Sequence, residues 1–248
     1  MGLNLAITDY AGVVAQTRSW LREIESGEPR VWAVGAANTH FVALSRRDAA
    51  FRKLLEGFDV IVPDGMPLVW VLNAQHGAGM HDRVYGPTMM LRVIESVDEV
   101  SHFFLGGSPE MLERLEANLK ARFPRLKVAG THAPPFGPWG EEEDALIREK
   151  IARSGAKIIW IGLGCPKQET WLARNKPHLP PGVYFAVGAA FPFHSGMVKQ
   201  APLWMQKRGL EWLFRLAAEP RRLWKRYVVF NTLFLFYLFV DSLRKRRD

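Results

Sequence analysis

From position 157 to 169 the chain reads KIIWIGLGCPKQE. An apolar run (157–162) ends on a glycine turn, and a helical pattern begins at once over 167–176. The same layout recurs along the chain. Apolar, β-rich runs lie at 31–35 (VWAVG), 60–63 (VIVP), 102–106 (HFFLG), 127–132 (KVAGTH) and 183–188 (VYFAVG). Between them, 41–56, 88–96, 109–123 and 141–154 carry the spacing of amphipathic helices. Strands alternating with helices predict a Rossmann-like α/β fold built on a parallel sheet. In open sheets of that kind the ligand site lies at the carboxyl ends of the strands.

At 248 residues and 48% hydrophobic content the chain can bury a substantial core, which excludes intrinsic disorder. A single cysteine, Cys165, excludes a disulfide framework and a cysteine-based zinc site. The start, MGLNLAITDY, lacks the basic-then-apolar layout of a secretory signal, so the body is expected in the cytosol. The net charge of +8 is unevenly placed. Residues 1–198 balance 21 basic against 21 acidic groups, whereas 199–248 hold 12 basic and 4 acidic. Two units are therefore expected: an α/β catalytic domain over 1–198 and a basic, aromatic, helical appendage over 199–248.

Within the appendage, 206–219 reads as a helix, and Pro220 suits the first turn of another. Arg208, Glu211, Arg215, Glu219, Arg222 and Arg226 form one charged stripe if the break at Pro220 preserves direction, with Leu213, Leu216, Leu223, Trp224 and Tyr227 opposite. The run 227–240 (YVVFNTLFLFYLFV) holds 14 uncharged residues, fewer than the ~20 that span a bilayer. Basic flanks and many aromatics favour a helix lying in the membrane interface over an ordinary core or dimer helix.

Several residues stand where chemistry is expected. Asp64, in VIVPDGMPLVW, ends a strand, where desolvation raises a carboxylate toward use as a general base; its alternative role is capping the next helix. Asn38 and Thr39 end the neighbouring strand. Arg83 is a matching cation or a solvated partner of Asp82. The turns at Gly106-Gly107-Ser108-Pro109 and Gly162-Leu163-Gly164-Cys165-Pro166-Lys167-Gln168 open helices and suit a phosphate, or serve simply as tight turns. Lys167 replaces the third glycine of a dinucleotide fingerprint, which argues against a nicotinamide oxidoreductase. Cys165 reads as a small buried residue. The loop 133–140 (APPFGPWG) is a connector or a ligand lid. With no D-x-D and no H-x-x-x-H pair, neither a metal nor another cofactor is expected.

Two function classes fit these residues: a membrane-associated transferase, and a nucleotide-binding regulatory protein whose basic tail binds nucleic acid or membrane. The uncharged aromatic run is an odd groove ligand, so nucleic acid is not the expected partner.

Asn38, VPDGMPLVW, DRVYGP, FFLGGSPE, GLGCPKQETW, VGAAFPFHSG and APLWMQKRGLEWLFRLAAEPRRLWKRY together resemble the WecG/TagA/CpsF glycosyltransferases, family 26 in the usual classification, over about 30–230. The resemblance implies a metal-independent, inverting transfer of a hexosyl or N-acetylhexosaminyl unit. The donor would be a UDP-sugar and the acceptor a polyprenyl-diphosphate-linked sugar, at the cytoplasmic face of the cell membrane, in bacterial surface or exopolysaccharide synthesis. It makes Asp64 the general base, with Gln168, Asn38 and Thr39 beside it in catalysis. Arg83, Gly106, Gly107, Gly164 and Lys167 fall to substrate binding. Arg215, Arg222 and one of Lys225 or Arg226 fall to the acceptor pyrophosphate. Whether a homo-oligomer forms is left open. Two positions depart from the family pattern: Ala36 stands where members carry Thr or Ser, and Pro192 where many carry Asp.

Overall fold

The computed structural model describes residues 2–244, apart from the side chains of Arg222, Arg226 and Arg244. Helix α1 (Tyr10–Glu25) leads to β1 (Val31–Ala37), then α2 (Thr39–Arg47), α3 (Ala49–Leu55) and β2 (Val60–Pro63). The chain continues through α4 (Met66–His76), α5 (Gly86–Ser96), β3 (Ser101–Gly106), α6 (Pro109–Arg122) and β4 (Lys127–His132). Next come α7 (Glu141–Ser154), β5 (Ile158–Gly162), α8 (Lys167–Asn175) and β6 (Gly182–Ala186). The end of the chain forms α9 (Ala190–His194), α10 (Leu203–Lys207), α11 (Glu211–Ala218) and α12 (Pro220–Arg244). All six expected strands form, and they make one sheet of order β2-β1-β6-β5-β3-β4 in which every neighbouring pair is parallel.

The continuous apolar run at 157–162 has a plain cause. Alternate residues of β5 face opposite sides, and both sides are covered. Ile158 and Trp160 pack with Phe104, Phe185, Val93 and Leu115 under α5 and α6. Ile159 and Ile161 pack with Ile147, Ile151, Trp171 and Leu172 under α7 and α8. All four strand residues are fully buried, and each such side chain is worth about 1.5–3 kcal/mol. A buried polar pair is satisfied within this core: Trp160 Nε1 donates to His102 Nδ1 (3.0 Å), and His102 Nε2 meets the Val97 carbonyl (3.1 Å). Burial pushes His102 down to about 4, so the ring stays neutral.

A third cluster gathers Phe41, Phe51, Leu55, Ile61 and Leu68 with Phe234 of α12. The last helix therefore seats one face on the body. Thr39 Oγ1 donates to Asn231 Oδ1 (2.8 Å), Arg46 pairs with Asp241 (2.5 Å), and the Phe230 ring meets His40 edge-on. Its other side exposes Val228, Phe236 and Phe239. The uncharged run of 14 residues thus lies in a helix whose segment Leu223–Leu243 is, by length and composition alone, long and apolar enough to cross a membrane.

Two expected helices are each two. The helix expected over 41–56 breaks at Asp48, which is extended (φ −112, ψ 106) and caps α3 by accepting from Phe51 N–H (3.0 Å). The helix expected over 206–219 breaks at Gly209 (φ +68), whose left-handed conformation only glycine adopts freely. Among the described residues, α1, α4 and α9 lie outside the helices expected from sequence. For α4 the reason is that its residues are apolar nearly all round, which hides the 3.6-residue period.

Candidate active site

The carboxyl ends of the strands open into one cleft of about 1680 Å³. Asn38 and Thr39 follow β1, Asp64 follows β2, Gly107 and Ser108 follow β3, Gly164 follows β5 and Gly188 follows β6. The site therefore lies where the sheet's polarity requires it. Loop residues 134–139 line the cleft as well, tied down by Lys167, whose ammonium donates to the Gly137 carbonyl and sits 3.5 Å over the Trp139 ring. Burial lowers the affinity of that ammonium for its proton. The proline-rich loop is therefore a wall of the site, and Lys167 holds it there.

Asp64 is partly buried at the cleft floor. It does not cap the helix that follows it, because Gly65 is the N-cap of α4. Its Oδ1 instead accepts from Gly86 N–H (2.6 Å) at the start of α5. Desolvation pushes its carboxyl from an ordinary 3.8 up to about 6, and the negative charge of Glu211 adds to the push. Arg83, the Gly86 N–H and Arg215 act the other way. A carboxylate tuned close to neutrality is matched to taking a proton from a hydroxyl.

Arg83 is buried rather than solvated beside Asp82. Asp82 accepts only its backbone N–H (2.8 Å). The guanidinium pairs with Glu211 Oε2 (2.6 Å), donates to Gln206 Oε1 (3.2 Å), and reaches the main-chain carbonyl of Asp64 (3.2 Å). It also lies 3.9 Å over the Tyr85 ring, and the Tyr85 hydroxyl donates to Glu211 Oε1 (2.8 Å). Glu211 and Tyr85 are site residues that sequence reasoning missed. A cation ending in a cleft needs a counter-ion, and the acid within the appendage stripe was the available signal.

The stripe turns inward. Glu211, Trp212, Arg215 and Glu219 line the cleft, while Leu213 is exposed outside it. It does not run on as one face into α12, because Glu219 (φ −135, ψ 58) is not helical and redirects the chain. The expected apolar face divides accordingly: Leu223 is buried, Tyr227 lines the cleft, and Trp224 is exposed. Arg215 lies 5.6 Å from the Phe193 ring centre, and its Nε is buried without a hydrogen-bond partner among the described residues. Lys225 is exposed, 5.6 Å over Trp224, and does not line the cleft. The side chains of Arg222 and Arg226 lie outside the described residues.

The remaining expected residues occupy structural posts within the site. Asn38 caps α2 by accepting from Phe41 N–H (3.2 Å), and Thr39 gives its proton to Asn231. Gln168 is buried, accepts from Gly164 N–H (3.1 Å) and donates to Glu169 (2.8 Å), which fixes the glycine turn. Gly106 (φ +116) is required by close approach: a Cβ there would lie 2.7 Å from the Gly162 backbone. Gly107 (φ +77) faces the cleft beside Ser108, whose hydroxyl caps α6. Cys165 is only partly buried and lines the cleft, as do Ala36 and Pro192. Among the described residues no three His, Cys, Asp or Glu side chains gather as a metal-ligand group.

The family model described as "Glycosyl transferase WecG/TagA/CpsF family" matches residues 1–248, the whole chain. That match covers both the parallel sheet and the cleft at its carboxyl edge, which Asp64 lines. The chain belongs to the WecG/TagA/CpsF glycosyltransferases, a family of cell-surface polysaccharide synthesis.

Proposed function

We propose that this enzyme moves a hexosyl or N-acetylhexosaminyl unit from a UDP-sugar to a polyprenyl-diphosphate-linked sugar, with inversion and without a metal. The observation that carries the reading is Asp64, pushed up to about 6 on the floor of a cleft large enough for two substrates. Asp64 takes the proton of the acceptor hydroxyl as that oxygen attacks the anomeric carbon. The bond from that carbon to the donor diphosphate breaks in the same step, and its electron pair leaves with UDP. Inversion follows from a single displacement. The unpartnered Nε of Arg215 supports a cation-to-diphosphate contact, because a buried donor without a partner is costly until an anion accepts from it.

The basic excess of 199–248 and the exposed Trp204, Trp212, Trp224, Phe236 and Phe239 support a peripheral seat on the cytoplasmic membrane face, where the acceptor lipid resides. The test is a panel of UDP-sugars with a lipid-diphosphate acceptor in detergent. Transfer from at least one donor, with the product anomer opposite to the donor's by NMR, is the expected result. Retention of configuration, or no transfer from any UDP-sugar, refutes the proposal.

A further inference from the structure

We infer that Glu211 is a positioning residue that holds the Arg83 guanidinium off the Asp64 carboxylate, leaving that carboxylate open to the acceptor hydroxyl. The inference rests on Asp64 acting as the base. Three contacts carry it. Arg83 touches Asp64 only through the main-chain carbonyl (3.2 Å), although a guanidinium finds its strongest partner in a carboxylate. That carboxylate is supplied by Glu211 at 2.6 Å. Glu211 is fixed in turn at its second oxygen by the Tyr85 hydroxyl (2.8 Å), so it is gripped from both sides and is buried.

Without the charge of Glu211, the buried Arg83 cation would lack its counter-ion, and the Asp64 carboxylate would become its nearest anionic partner. A base ion-paired to a guanidinium is weaker, and one of its oxygens is occupied. The groups acting on Asp64 are Arg83 and Tyr85 from the segment before α5, the Gly86 N–H of α5, and Glu211 and Arg215 of α11. His40 of α2, Lys167 of α8 and Glu219 beyond α11 line the same cleft. Of these groups, Glu211 alone contacts both Arg83 and Tyr85.

The test is the acid limb of the kcat/KM profile, read beside a carboxyl ¹³C NMR titration of Asp64 in the full-length protein. In Glu211→Gln the limb and the NMR midpoint should both move down by about 1 unit or more, the effect of a close unpaired cation, and kcat should fall with them. In the double variant Arg83→Gln/Glu211→Gln both should return toward wild type, whatever happens to KM. Tyr85→Phe keeps the ring packing and removes only the hydroxyl that fixes Glu211; it should move both readouts in the same direction by less. Unmoved midpoints in Glu211→Gln, or in Tyr85→Phe if Glu211→Gln does not fold, overturn the inference. If Asp64→Asn retains activity, the base assignment fails instead, and the NMR midpoint alone then judges Glu211.

Discussion

Asp64→Asn should inactivate the enzyme and stabilise it. The substitution removes a charge and keeps the shape, and the amide oxygen can still accept from Gly86 N–H as Oδ1 does now at 2.6 Å. The carboxyl is raised from 3.8 to about 6, and one unit is worth 1.36 kcal/mol, so ionised Asp64 strains the native state by about 3 kcal/mol. The sign follows from proton binding. A folded state with the higher pKa holds its proton more tightly, so the contribution of Asp64 is favourable below about pH 4 and is lost as pH rises through about 6. At pH 7 to 8 the Asn variant should therefore be more stable by up to about 3 kcal/mol, on the order of 6–12 °C in Tm for a chain of this length. The gain should shrink as pH falls from 7 to 5. Urea unfolding and thermal melts across that range measure it, and turnover of the same preparation should be lower by at least about 10²-fold. An unchanged or lower Tm at neutral pH would refute the desolvation argument, and wild-type kcat would remove Asp64 as the base. Such exchange of activity for stability is what a partly buried functional charge entails.

Other expectations follow from the same geometry. Gly106→Ala should cost on the order of 2–4 kcal/mol, because its φ of +116 and the 2.7 Å approach of the Gly162 backbone leave no room for a methyl group; a urea midpoint equal to wild type would contradict this. Phe236→Asp/Phe239→Asp, on the outer face of α12, should weaken co-sedimentation with anionic vesicles at least about tenfold while leaving the melt unchanged, and undiminished sedimentation would exclude that face from membrane contact. Turnover should persist in excess EDTA; its loss on chelation and recovery with Mg²⁺ or Mn²⁺ would overturn the metal-independent mechanism. Lys167→Met should raise the KM for the donor by releasing the loop it ties to Gly137, with little change in stability, and an unchanged KM would reduce the loop to a connector.

Local pattern was enough to find the six strands and make their sheet parallel, while their order, β2-β1-β6-β5-β3-β4, came from the fold. Five of the six strands are apolar runs of four to seven residues stopped by glycine, proline or a polar turn, and burial on both faces makes such runs stand out in a sequence; the edge strand β4 (KVAGTH) is more polar and only partly covered. Strand polarity then placed Asn38, Asp64, Gly107 and Gly164 at one edge without further information. Spacing rules reach no farther than a helical turn or a strand pair, so they could not pair Arg83 with Glu211, which lie 128 positions apart, or Thr39 with Asn231, 192 apart. Nor could they give the direction of the appendage stripe. That was set by two backbone conformations, at Gly209 and Glu219, which turn Glu211 and Arg215 into the cleft and leave Leu213 exposed outside it. The raised pKa of Asp64 belongs to the same class of property. A carboxylate's identity is written in the chain, but its proton affinity depends on how much water and which charges the rest of the fold leaves around it.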